Sequence, residues 1–155
     1  MALVIMKEYR ITKYNPTYRI ESGHYLDKEE WTSYSEVGDK VTLEEYLEVE
    51  QSYIESAIEF VKNSGVSLLK VQGLEDHDKS SNLVEGLEIS LDSFGCVLKA
   101  LLREEFWCKL ESKNAFIHVG YDFYMYIGVK ALNSDCTKKA QQRGLFVEDF
   151  ESPYK

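Results

Sequence analysis

Residues 115–129, AFIHVGYDFYMYIGV, alternate in character without a break. The odd positions are Ala115, Ile117, Val119, Tyr121, Phe123, Met125, Ile127 and Val129. The even positions are Phe116, His118, Gly120, Asp122, Tyr124, Tyr126 and Gly128. A period of two is the mark of β-strand, because successive side chains point to opposite faces. The odd set reads as a core face. The run is longer than the usual strand of about five or six residues, so a hairpin bend is expected near Gly120 to Asp122. The even set carries a histidine, an aspartate and two tyrosines. It reads as an active site, a binding surface or the wetted side of a sheet.

A sheet this apolar on one side needs cover, and the rest of the chain supplies it. Tyr9 to Tyr14 reads as a first strand, ended by the Asn15-Pro16 turn signal. Residues 17–40 are polar and aromatic without a clean period, and read as a structured loop. Thr42-Leu43-Glu44-Glu45 is a capping box that opens a helix running to Asn63, with Gly65 placed to end it. Its inward stripe is expected to be Leu43, Tyr46, Leu47, Tyr53, Ile54, Ala57, Ile58 and Val61. A strand over 66–74, a short alternating run through Leu87, Ile89 and Leu91, and a second helix over 93–104 follow. Next come a strand with Phe106, Cys108 and Leu110, the long hairpin, a short helix to Gln142 stopped by Gly144, and a last strand over 145–150. The order β-α-β-β-α-β-β-β-α-β, with hairpin-like connections, predicts an α+β fold. The expected architecture is a mostly antiparallel sheet with two to three helices packed on one face and the other face wetted.

At 155 residues the chain is expected to form a single domain over 1–155, residues 1–5 being an upstream extension with Met6 as a second start. A formal net charge of −9 argues against nucleic acid and anionic membrane as partners, since phosphate binding needs a basic footprint. The opening apolar run is too short for a signal peptide, and no other run is long enough to cross a membrane. Three cysteines without CxxC spacing exclude a disulfide framework and a zinc ribbon, and point to a reducing cytoplasm. Cys96 and Cys108 are expected to fill the core and Cys136 to be exposed. No GxGxxG, Walker, HExxH or GxSxG motif occurs, so no cofactor is expected.

Three groups of residues carry candidate chemistry. His118 with Asp122 and Tyr124 or Tyr126 has the residue types of a general acid–base site, as in a small hydrolase or transferase. The competing interpretation is a solvent face with cross-strand aromatic pairs, or one buried between copies in a homo-oligomer. Residues 75–78, EDHD, offer metal-ligand types, but consecutive loop residues seldom converge on one ion, and a solvated loop is the simpler account. On the long helix, Glu44, Glu48, Gln51, Glu55 and Glu59 share one side. Like-charge pairs four apart cost a few tenths of a kcal/mol each, so a row of them suggests an acidic docking face for a basic partner. Trp31, Tyr34, Tyr124 and Tyr126 have no core role from periodicity and are candidate aromatic anchors, as is Trp107.

The phrases KEYRITKYNPTYR, EWTSYSEVG, YMYIGV and GLFVEDFESPY, with the capped acidic helix, resemble small acidic bacterial immunity proteins of polymorphic toxin systems. The resemblance covers most of the chain. It implies a cytosolic, non-enzymatic protein, monomer or homodimer, that neutralises a cognate toxin, often a nuclease. Occlusion would be by an acidic, aromatic-rich surface. On that reading Glu44, Glu48, Glu55 and Glu59 supply charge, Trp31, Tyr34, Tyr124 and Tyr126 anchor, and His118 and Asp122 hydrogen-bond the partner.

Overall fold

The computed structural model describes residues 6–18, 30–77, 79, 81–130 and 134–155. The upstream extension 1–5, Tyr25 and Asp78 lie outside them. Among the described residues seven strands form: β1 (Lys7–Thr12), β2 (Leu68–Glu75), β3 (Glu88–Ser90), β4 (Trp107–Glu111), β5 (Ala115–Val119), β6 (Met125–Val129) and β7 (Phe146–Asp149). Three helices join them: α1 (Leu43–Asn63), α2 (Leu91–Leu102) and α3 (Ser134–Gln142). Every strand pair is antiparallel, in the order β3-β2-β4-β5-β6-β1-β7. The fold is α+β, with the element order the sequence predicts.

The capping box forms as expected: Thr42 Oγ1 accepts from the Glu45 N–H at 3.1 Å. Gly65, at φ +83, takes the left-handed conformation that ends α1. The inward face of α1 differs from the expected stripe. Tyr46, Tyr53, Ile54, Ala57, Phe60 and Val61 are buried, and so are Glu50 and Ser56. Leu43 and Leu47 are 51% and 41% exposed, because the helix turns that flank away from the sheet. Periodicity alone could not tell which edge of a wide apolar stripe meets the core.

The long alternating run is a hairpin. A 3-10 turn, Tyr121–Phe123, separates β5 from β6 and pairs His118 with Tyr126. Asp122 and Phe123 there hold left-handed conformations, φ 59 and 66, which are costly for residues with side chains. Two hydroxyls fix the turn: Tyr14 donates to the Asp122 carbonyl at 2.6 Å and Tyr53 to the Phe123 carbonyl at 2.8 Å. The Phe123 ring plugs into Trp31, Tyr46 and Tyr53. The break in alternation explains why Tyr121, an odd residue expected in the core, is 68% exposed.

The expected wet face is dry at its centre. A straight ladder crosses it: Glu148, Arg10, Tyr126, His118, Lys109 and Gln72 pair in register from strand to strand. Residues 150–155 return over the middle of that ladder. Tyr126 packs on Phe150 and Tyr154, and the Arg10 guanidinium lies 3.9 Å from the Phe150 ring centre. In the next row the Phe116 ring covers Gly128; a Cβ there would stand 2.1 Å from the ring.

Two cysteine expectations reverse. Cys96 is exposed on α2, while Cys136 is buried on α3 against α1, its Sγ 3.8 Å from the Glu59 carbonyl. Cys108 is buried as expected, and burial pushes its thiol up to about 12.

Candidate functional site

His118 is fully buried, 0% exposed. Its Nδ1 lies 2.6 Å from Ser152 Oγ and its Nε2 3.2 Å from Glu111 Oε2, with the ring stacked on Phe116. Burial lowers its pKa below the ordinary 6.5, partly opposed by the Glu111 hydrogen bond. The neutral ring therefore donates from Nε2 to Glu111 and accepts at Nδ1 from the Ser152 hydroxyl. Ser152 Oγ in turn accepts the Tyr154 N–H at 3.2 Å. The group has the residue types of a serine–histidine–acid triad. Its serine is buried and belongs to the covering segment, so the three form a latch that holds residues 150–155 on the sheet.

The acid–base arrangement expected from sequence does not assemble. The register sets Tyr126, not Tyr124, opposite His118, and Asp122 stands exposed in the turn. Tyr124 is half-buried between Tyr14 and Arg10. As exposed binding residues, His118, Tyr126 and Trp31 are corrected: all three are buried. Trp31 sits in the aromatic cluster with Tyr46 and Phe123. Tyr34 is half-buried, against Tyr46 and under Arg103. Each needed a long-range partner for burial, and only the fold reveals those partners. Residues 150–155 occupy the centre of the even face, over Tyr126 and His118.

Three residues of the EDHD stretch, Glu75 to His77, are described. Asp76 caps its own loop, accepting from Ser81 N at 2.9 Å, while His77 is exposed. Among the described residues no group of three or more His, Cys, Asp or Glu could hold a metal.

The acidic row on α1 divides in two. Glu55 and Glu59 meet Arg143, which follows α3, at 3.3 and 3.0 Å, and Lys139 approaches Glu59 at 3.7 Å. The Arg143 hydrogen bond holds the Glu59 carboxyl below the usual carboxylate range. Glu44 and Glu48 are exposed, and among the described residues neither joins an ion pair. They flank the exposed Leu43 and Leu47.

Beneath that half lies a network that sequence reasoning missed. Buried Glu50 accepts from Tyr46 Oη at 2.5 Å and binds Arg103 through both oxygens, at 2.8 and 3.0 Å. Removing either member of such a pair strands a buried charge. Its position on the inward side, four residues after Tyr46, was the available signal. The pair ties the start of α1 to the end of α2, so the surface above it is rigidly held.

The arrangement defines an α+β protein in which His118 is sealed, while the described residues leave open an acidic, leucine-centred helix face and the turns beside it. No family model, no curated protein and no solved structure matches this chain.

Proposed function

We propose that this chain is a non-enzymatic binding protein, an immunity protein that neutralises a cognate bacterial toxin by covering its basic active site. The observation that carries the reading is the first half of α1. Two exposed leucines, one turn apart, sit among the exposed Glu44, Glu45 and Glu48, which join no ion pair among the described residues. Exposed apolar side chains ringed by one sign of charge suit a partner surface with the opposite sign, the charges steering encounter and the leucines supplying desolvated contact. A toxin site built for phosphates has that basic character. The sealing of His118 removes the main support for a hydrolase or transferase.

The test is co-expression with the polypeptide encoded beside this chain, scoring host survival and co-purification together. Rescue with a stable complex is expected. Glu44→Lys with Glu48→Lys should weaken that complex by about 100-fold or more. Stability should fall by only about 1 kcal/mol, the cost of placing cations near a helix N-terminus. Unchanged affinity at low salt would sink the reading.

A further inference from the structure

Residues 150–155 lie across the middle of the sheet, and the central strands pair without them. β5 runs between β4 and β6, and β6 between β5 and β1. Ile117, Met125 and Ile127 are packed into the core on the helix side. The covering segment holds on by a handful of contacts. The Phe150 N–H reaches the Glu8 carbonyl at 3.3 Å. Beyond it the hold passes to side chains. Ser152 Oγ meets His118, the Ser152 N–H meets the Glu8 carboxylate, Tyr154 packs on Trp107 and Tyr126, and Lys155 pairs with Glu8. Pro153 has no N–H with which to extend a strand. Phe150 is 40% exposed. A segment attached in this way opens locally at far smaller cost than the sheet beneath it.

We propose that residues 150–155 are a strap that lifts off the folded sheet as one unit, and that protonation of His118 favours the open form. The inference is independent of the α1 surface. With the strap down, the imidazole is stacked on Phe116 and edge-on to Tyr154, where a charged ring is cut off from water. Charged and titratable groups face it from three strands and the strap. β4 contributes Glu111 and Lys109, β1 contributes Glu8, β6 contributes Tyr126, and the strap contributes Tyr154. Glu111, Glu8 and Lys109 belong to the sheet and stay there when the strap lifts. The two carboxylates favour the imidazolium and the ammonium opposes it. Burial opposes it most, and lifting the strap relieves that burial. Glu8 also gives up Lys155 and the Ser152 N–H on opening, so its charge is freer to act on the ring. The uncovered ring therefore takes up a proton that the covered ring resists, and acid shifts the balance toward opening. Lifting the strap bares the row Arg10, Tyr126 and His118, so access to the middle of that face follows pH.

The test is native-state hydrogen exchange on the full chain, followed by NMR and corrected for the intrinsic pH dependence of amide exchange. The Ser152 and Tyr154 amides should be protected about tenfold or more below the amides of β5 and β6. Their protection should fall together, by about three- to tenfold, from about pH 7.5 to about pH 5.5. His118→Gln keeps a donor and an acceptor but does not titrate, and should abolish that response. Tyr154→Ala leaves the histidine in place and loosens the strap. It should lower Ser152 protection at both pH values and move the titration of the His118 ring up toward the ordinary 6.5. This second variant decides the matter if the first does not fold. Strap amides as protected as those of β5 and β6 would overturn the proposal, as would strap protection that ignores pH or an unaltered pH response in His118→Gln. So would a His118 titration that stays put in Tyr154→Ala while the strap amides exchange faster.

Discussion

On one face of the sheet, three helices bury Tyr53, Ala57 and Phe60 of α1, Phe94 and Leu98 of α2 and Ala140 of α3 in the core that also holds Ile117, Met125 and Ile127. On the other, residues 150–155 cover Tyr126 and His118 with two aromatic rings, one serine and one ion pair. The first face is closed by area, and the second by a few directed contacts. The same strands thus show that an alternating sequence fixes which residues share a face but leaves open what covers it. If that contrast is right, damage to the helix face should cost most. Phe123→Ala removes a ring packed on Trp31, Tyr46 and Tyr53 and leaves a cavity beneath a strained turn. A loss of about 3–5 kcal/mol is expected in urea unfolding. A loss under about 1.5 kcal/mol would mean that the cluster collapses readily and the turn is held by the tyrosine hydroxyls alone.

The second face should be more sensitive to a single atom than to area. Ser152→Ala leaves the buried Nδ1 of His118 without its donor. About 1–2 kcal/mol should be lost near pH 8. The pH dependence sharpens the contrast. His118 has a lowered folded pKa, so the unfolded chain takes up the proton first. Its contribution is therefore full above the ordinary value of 6.5, declines as pH falls below it, and levels off once the folded value is passed. Without the Ser152 donor, the neutral ring is less favoured in the folded state. The gap between the two proteins should then narrow toward about pH 5. An equal difference at both pH values would show that Ser152 holds the segment without acting through the histidine.

Much of this fold was legible in the chain. Thr42 and Glu45 mark the start of α1, Gly65 its end, and the alternation around Gly120 the hairpin, because each signal is local. The site was less legible because its determinants are long-range. Nothing near His118 in sequence announces Ser152, which is 34 residues away, and the charge on Glu59 is countered by Arg143, 84 residues on. The even face read as wet because alternation compares polar with apolar residues, and His118, Tyr124 and Tyr126 count as polar until a partner buries them. Leu43 and Leu47 were drawn inward for the converse reason: an apolar residue at helical spacing is assigned to the core, although a docking surface uses the same residue types.

The smallest effect in the comparison concerns the edge of the second face. Lys155 reaches Glu8 at 2.5 Å, the shortest ion-pair distance on that face. Distance is a poor guide here, because the lysine side chain is 46% exposed and keeps much of its hydration when the pair breaks. Glu8 would not be abandoned either: its other oxygen accepts the Ser152 N–H at 3.1 Å. Lys155→Ala should therefore have the smallest effect of the three substitutions, and about 0.5 M salt should erase the difference. Thermal unfolding of the two proteins at low and high salt checks both parts. A salt-sensitive loss larger than that of Ser152→Ala would overturn the contrast, since rim charge would then hold the segment more strongly than the buried serine and histidine beneath it.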